Sequence, residues 1–114
     1  MSANVIKIYD AIASIILEVE LELRRLNLWS EKVPDKQRLQ SVEPFCIDTL
    51  DFHEWVQFVF LSRIKIIIEK NGQLPENSAI QAMAEEYLKV ERRAIHIVKL
   101  FGDFDRLISN RLTH

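Results

Sequence analysis

Glycine is almost missing from this chain: 2 residues in 114, where average usage of roughly 7% would supply about eight. Sheet proteins and nucleotide-binding loops use glycine for tight turns and for close approach to phosphates, so neither class is expected. Cysteine is reduced to Cys46 alone, which excludes an internal disulfide and a thiolate-based metal cage. The N-terminus has no basic start, apolar stretch and small-residue cleavage site, so a cytoplasmic setting is expected rather than export. Neither sign of charge dominates. The 15 basic and 17 acidic side chains leave a net charge of −2 and are interspersed, so no bulk attraction to nucleic acid is built in. Long apolar runs are absent too. The most apolar stretch, Trp55 to Ile68, is interrupted by Gln57, Ser62, Arg63 and Lys65, whereas spanning a bilayer takes roughly 20 mostly apolar residues. No membrane partner is expected.

What remains favours helices. Hydrophobic residues make up 48% and charged residues 28% of the chain, enough apolar surface for one self-sufficient core. Few Gly, 3 Pro and many Leu, Ile, Glu, Lys and Arg favour long helices joined by few turns. The periodicity predicts an all-α fold, a four-helix bundle with a long irregular linker between helices 1 and 2. The helices are expected at about 3–27, 51–70, 78–89 and 90–110, in a single domain over 1–114.

In the first helix Val5, Ile8, Ile12, Ile15, Ile16, Val19, Leu23 and Leu26 share one face. A second strip, Ile6, Leu17 and Leu21, either touches a neighbouring element or is a self-association surface that would make a homodimer. Residues 28–50 hold two prolines and no steady period. A connection of that length is unusual where about 4–6 residues is typical. Trp29, Val33, Leu39, Phe45 and Ile47 are apolar enough that the segment is expected to lie across the bundle. Asp51 with Glu54 predicts a capping box at the second helix, and Asn71-Gly72 a left-handed exit. That helix is apolar nearly all round and is expected at the centre of the fold. Ser78 with Gln81 predicts a second capping box. The break between helices 3 and 4, near Lys89–Glu91, carries no Gly or Pro to mark it. Gly102, inside the last helix, marks either a kink or a close helix contact.

Two charges fall on apolar stripes: Arg63 on the second helix and Asp105 on the last. An isolated buried charge is costly, so the two are expected to pair and fix helix register, unless Arg63 extends outward along its aliphatic stem. A buried pair predicts that Arg63→Ala costs about 3–5 kcal/mol. His53, His96 and His114 form no metal-binding spacing, and no metal or other cofactor is expected. Cys46 near His53 in sequence is a weak nucleophile signal, and the adjacent Glu85 and Glu86 point to different sides of a helix. Nothing marks an enzyme.

Two surfaces remain as partner candidates. Trp29, Pro44, Phe45, Asp48, Phe52 and Trp55 place rings and a carboxylate near the junction of linker and second helix. They either close the core from the side or frame a groove of the aromatic kind in which partners bind. Lys89, Arg92, Arg93, His96 and Lys99 form a basic stripe. It is either a solvated face or a docking strip for RNA or an acidic protein, though no aromatic residues are interleaved to stack on bases.

The run Pro44-Phe45-Cys46-Ile47-Asp48-Thr49-Leu50-Asp51-Phe52-His53-Glu54-Trp55-Val56-Gln57 resembles the signature of the YqcC-like bacterial proteins. Trp29, Arg63, Leu74-Pro75 and Asp105-Arg106-Leu107 extend the resemblance over nearly the whole chain. Val56 and Phe60-Leu61-Ser62 depart from it, standing where a leucine and a proline-containing stretch are more usual. The resemblance implies a small helical bundle with no assigned catalytic residue. It also implies, through a gene that in some bacteria neighbours a tRNA pseudouridine synthase, an accessory role in RNA modification. The residues themselves point first to a non-enzymatic protein-interaction module with an unidentified protein partner, and second to an RNA-associated accessory factor.

Overall fold

Two asparagines do the turning that glycine does elsewhere. In the computed structural model, which describes residues 3–110 with side chains from residue 7 onward, α1 spans Ala3–Arg25. It closes with Asn27 in the left-handed region (φ 59). Leu28 N–H reaches back to Leu23 O at 2.8 Å, and Asn27 N–H to Arg24 O at 3.1 Å. This is the paired-bond exit usually built on glycine. Asn71 (φ 50) repeats it after a later helix that ends at Glu69, with Gly72 N–H on Ile67 O at 2.7 Å. The left-handed residue there is Asn71 rather than Gly72, because asparagine tolerates this conformation where most side chains do not.

Between these exits the chain forms a strap and then a long composite helix. A single turn, α2 (Lys36–Leu39), and a 3₁₀ turn at Pro44–Cys46 punctuate the strap. The second rod runs from α3 (Phe52–Trp55) through a π-helical turn at Val56–Phe60 into α4 (Leu61–Glu69). Its buried series, Phe52, Val56, Phe60 and Ile64, steps by four residues, and a regular α-helix drifts by ~40° at each such step. The wide π turn takes up that drift. It also turns everything after Phe60 by about one residue's angle relative to an uninterrupted wheel, so that Arg63 becomes exposed.

The last two helices begin later than periodicity alone predicts. α5 spans Ile80–Tyr87, and α6 spans Ile95–Asn110 after a 3₁₀ turn at Arg92–Ala94. Val90, at the expected start of the fourth helix, lies in the intervening turn and is 88% exposed. The centre of the fold is α6, not the second rod. α6 packs along α1 on one side and α5 on the other, and Ile97, Phe101, Phe104 and Ile108 are sealed from solvent. Each contributes roughly 1.5–3 kcal/mol by leaving water. The second rod leaves Ile66 52% exposed, so it flanks the core.

Polar ties give the directions of these helices. Arg25 Nη2 donates to Arg93 O at 2.7 Å, setting the end of α1 beside the start of α6. Tyr9 Oη donates to Gly72 O, while Lys65 pairs with Glu20 at 3.2 Å, so α1 also runs antiparallel to α4. Gly102 is a close contact, not a kink. A β-carbon there would lie 2.6 Å from the side-chain amide of Gln81 on α5. Among the described residues there is no strand, and no helix is long and apolar enough to cross a membrane.

Candidate functional site

The strap is held at two points. Gln57, 7% exposed in the middle of an apolar rod, pairs with the backbone of Ser30 in both directions. Ser30 N–H donates to Gln57 Oε1 at 2.8 Å, and Gln57 Nε2 donates to Ser30 O at 2.7 Å. Further along, Arg38 Nη2 donates to Glu54 Oε1 at 2.9 Å and Arg38 Nε to Thr49 O at 2.8 Å, while the Thr49 hydroxyl returns a bond to Arg38 O at 2.6 Å. The same Glu54 oxygen accepts Asp51 N–H at 2.9 Å, the Glu54 half of the expected capping box. Between the ties Pro34, Cys46 and Leu50 are buried, but Val33 and Ile47 turn outward at 69% and 46% exposure. The strap covers the core with a few separated residues only.

Phe45 and Cys46 both sit in the left-handed region, at φ 59 and 50, a conformation costing most side chains roughly 1–2 kcal/mol each. The kinked backbone brings the Phe45 ring edge-on to Trp55, centroids 4.7 Å apart. Trp55 in turn contacts Phe52 at 6.1 Å and Phe60 at 5.7 Å. Phe52 belongs to the core: it is 6% exposed and meets Tyr87 and Phe101. Phe45 and Trp55 are only half-buried. Beside them opens a groove of about 260 Å³ whose floor is Phe60, Ile64, Ile80 and Phe104. Pro75, Asn77, Ser78 and Ala79 form the opposite bank, and Arg63 sits on the lip.

The expected pair between Arg63 and Asp105 does not form. Asp105 faces the start of α5, where Oδ1 accepts Ile80 N–H at 3.0 Å and the Ser78 hydroxyl, and Oδ2 accepts Gln81 N–H at 2.8 Å. A helix start presents unsatisfied N–H groups and a positive dipole end, which the carboxylate of a neighbouring helix serves here. Ser78 therefore donates its hydroxyl to Asp105 instead of capping α5 itself. Arg24, Arg25, Arg38, Arg93 and Arg106 each hold a carboxylate. Arg63 holds none among the described residues and is the only charged side chain lining the groove.

The other sequence candidates are scattered. Trp29 lies under Arg24, whose guanidinium carbon is 4.4 Å from the ring, and makes no ring contact with the Phe45–Trp55 cluster. Pro44 is exposed at the head of its 3₁₀ turn, and exposed Asp48 accepts a hydrogen bond from Ser41. The basic stripe is broken by the turn before α6, and three of its five members lie against carboxylates. Lys89 pairs with Glu86, Arg93 with Glu91 and, at 3.9 Å, His96 with Glu18. Arg92 and Lys99 remain. Leu17 and Leu21 are exposed at 59% and 56%, while the Ile6 side chain and His114 lie outside the described residues. Cys46 is a buried free thiol, and no cluster of three potential metal ligands occurs among the described residues. The tie at Gln57 and the 75–79 bank as a groove wall escaped the sequence reading, which had Ser78 only as a cap and Pro75 only within the family resemblance. Gln57 was visible as a polar interruption of an apolar run, but the bank carries no local signal.

Residues 11–107 match the family DUF446, described as tRNA pseudouridine synthase C. A Haemophilus influenzae protein named as uncharacterized is 36% identical over 72 residues, covering 63% of this chain and 68% of its own length. The Escherichia coli protein YqcC, also uncharacterized, is 26% identical over 94 residues, 81% of this chain and 86% of its own. Its solution NMR structure superimposes with a TM-score of 0.79, covering 90% of this chain and 89% of that one at 23% identity. The all-α fold is therefore shared. A Pectobacterium carotovorum protein named tRNA pseudouridine synthase C is 32% identical over 62 residues, 54% of this chain but only 16% of that protein's length.

Proposed function

The chain belongs to the family described as tRNA pseudouridine synthase C, and from that premise we propose that it is a non-enzymatic interaction module serving such a synthase. The observation that carries this reading is the Pectobacterium match. The shared segment occupies 16% of a polypeptide bearing the synthase name, so most of that protein lies outside it. A segment that lies within a larger polypeptide in Pectobacterium and makes up most of the short protein YqcC in Escherichia coli is suited to docking on the remainder.

The local chemistry supports the non-enzymatic part. Asp105 and Glu54 are both committed to helix starts, and Glu54 also to Arg38. The groove walls are mainly apolar, with no acid–base pair facing into them. Its volume of about 260 Å³ falls below the roughly 300–1,000 Å³ of ordinary small-molecule sites and suits one or two side chains of a protein partner. The reading places the module in the cytoplasm, where a tRNA-modifying enzyme meets its substrate. Direct RNA binding through the basic stripe is not favoured, because Lys89 and Arg93 already hold carboxylates.

Co-expression of the chain with the tRNA pseudouridine synthase C of its own bacterium tests the proposal. A complex of fixed stoichiometry should co-elute in size-exclusion chromatography and survive ribonuclease treatment, and deleting the module should lower pseudouridine in tRNA. Independent elution with unchanged pseudouridine content would sink it.

A further inference from the structure

We infer that the groove between Phe45–Trp55 and the 75–80 bank takes a short peptide segment of a protein partner, an apolar side chain followed closely by a carboxylate. The inference builds on the interaction-module reading and adds which surface is used and what chemistry it recognises.

Three independent features converge there. The first is charge. Five of the seven described arginines are neutralised by carboxylates; of the other two, Arg92 and Arg63, both exposed, Arg63 is set on the lip of the groove, with no acidic side chain lining it. An arginine fork beside an apolar floor matches a carboxylate attached to an apolar body, since the fork gives two parallel hydrogen bonds to a planar anion. A phosphate would satisfy the fork as well but would leave the floor of Phe60, Ile64, Ile80 and Phe104 unused.

The second feature is preorganisation. Phe45 is held at φ 59, followed by Cys46 at φ 50, and the strap that carries them is tied down at Gln57 and Arg38. The wall of the groove thus stands in place before any partner arrives, which reduces the ordering cost of association. Strain in an uncommon backbone region, maintained by surrounding ties, is a recurrent property of binding sites. The third feature is size. About 260 Å³ accommodates a side chain or two, not a helix laid lengthwise along several turns. Half-buried Trp55 and Phe45, together with an arginine, are also the residue types that dominate interface energetics.

The probe is a display library of random linear peptides, selected on the full chain alone, and the enriched peptides are then titrated against the parent and Arg63→Glu. Enriched peptides should share an aliphatic or aromatic residue within a few positions of Asp, Glu or the C-terminal carboxylate. Their affinity should fall roughly tenfold or more on Arg63→Glu and recover when the peptide acid is replaced by lysine. Arg63 is exposed, so an unchanged thermal melt certifies the fold of the variant. Arg63→Gln, expected to lose affinity without the lysine recovery, serves if Arg63→Glu does not fold. Enrichment of neutral or basic peptides, equal binding to Arg63→Glu, or a homodimer closing over the groove in sedimentation would each overturn the inference. If the synthase complex forms but is indifferent to Arg63→Glu, the groove assignment fails and the module reading stands. If acidic-apolar peptides bind but no synthase does, the reverse holds.

Discussion

Substituting Asp105 and Arg63, singly and together, separates two accounts of the same residues. If they formed a buried ion pair, either alanine would strand the other charge and cost about 3–5 kcal/mol, with strong coupling between them. The structure gives a different pattern. Asp105 accepts from Ser78 Oγ, Ile80 N–H and Gln81 N–H. Losing a helix cap costs about 0.5–2 kcal/mol, and the Ser78 hydroxyl adds roughly 1 kcal/mol for a hydrogen bond without its acceptor. The loss of negative charge at the start of α5 adds about 0.3–1 kcal/mol. Asp105→Ala should therefore lose about 2–4 kcal/mol in total. Asp105→Asn keeps one acceptor oxygen and should lose about half as much. Arg63→Ala removes an exposed, unpaired side chain and should stay within about 0.5 kcal/mol of the parent. The coupling energy from the double variant should be below about 0.5 kcal/mol. Urea denaturation followed by helical circular dichroism measures all four proteins, provided the slope with denaturant is unchanged. A loss above about 2 kcal/mol for Arg63→Ala, coupled to Asp105 by more than about 1 kcal/mol, would refute the assignment of Asp105 as a cap.

Other perturbations follow from the same geometry. Gln57→Leu removes both partners of the Ser30 backbone and should cost about 2–4 kcal/mol; hydrogen exchange at Ser30 should accelerate, and a stable variant with unchanged exchange would mean that the tie is dispensable. Gly102→Ala sets a helix gain of about 1 kcal/mol against displacement of the flexible Gln81 amide, so the midpoint of urea unfolding should barely move; a large loss would show that Gln81 is held in place. Hydrogen bonds from Arg25 hold the Glu22 carboxyl below its ordinary value, with burial opposing them. The stabilisation this brings is present above the unfolded carboxylate pKa and fades as pH falls through the lower folded value. Arg25→Met should raise the titration midpoint of Glu22 seen by NMR, and no change would contradict the assigned cause.

The local features of this fold were readable and the non-local ones were not. The inward face of α1, the start of the second rod at Asp51–Glu54 and its exit at Asn71 all follow from spacings within about five residues, where side chain and backbone interact directly. Asp105 was legible as anomalous, a charge on an apolar stripe, but its partner was misassigned. A cap supplied from 24 residues away has no local signature, and Arg63 was the conspicuous opposite charge. The displacement of Arg63 has a further cause. The π turn at Val56–Phe60 changes the helical phase, and a wheel drawn at a constant ~100° per residue has no place for it. The late start of α6 left no mark because no glycine or proline stands near Lys89–Glu91, and so the basic stripe was read as one continuous face. The ring cluster around Phe45 and Trp55 was visible as composition, but the groove was not. It is assembled from the strap, the second rod, the 75–80 segment and α6, which meet only in three dimensions.

Phe45 offers a way to ask whether the groove wall is kept for stability. Its backbone is left-handed, so replacement by alanine removes the ring but retains the strain, whereas glycine removes both. The ring contributes about 0.5–1.5 kcal/mol through its edge contact with Trp55 beyond area burial, and as a half-buried side chain about another 1 kcal/mol. Phe45→Ala should therefore lose roughly 2 kcal/mol. Phe45→Gly loses the same contacts and recovers about 1–2 kcal/mol of strain, offset in part by the greater freedom of glycine in the unfolded chain, about 0.4–1 kcal/mol. Glycine should thus be the more stable replacement although it is the smaller one, the reverse of the usual order inside a helix or a core. If alanine proves equal or better in urea unfolding, the left-handed turn is not imposed on residue 45 and the preorganised wall loses its basis. If glycine restores stability close to that of the parent while peptide binding is lost, the folded chain does not need this ring for itself, and its retention in a strained position is explained by what docks against it.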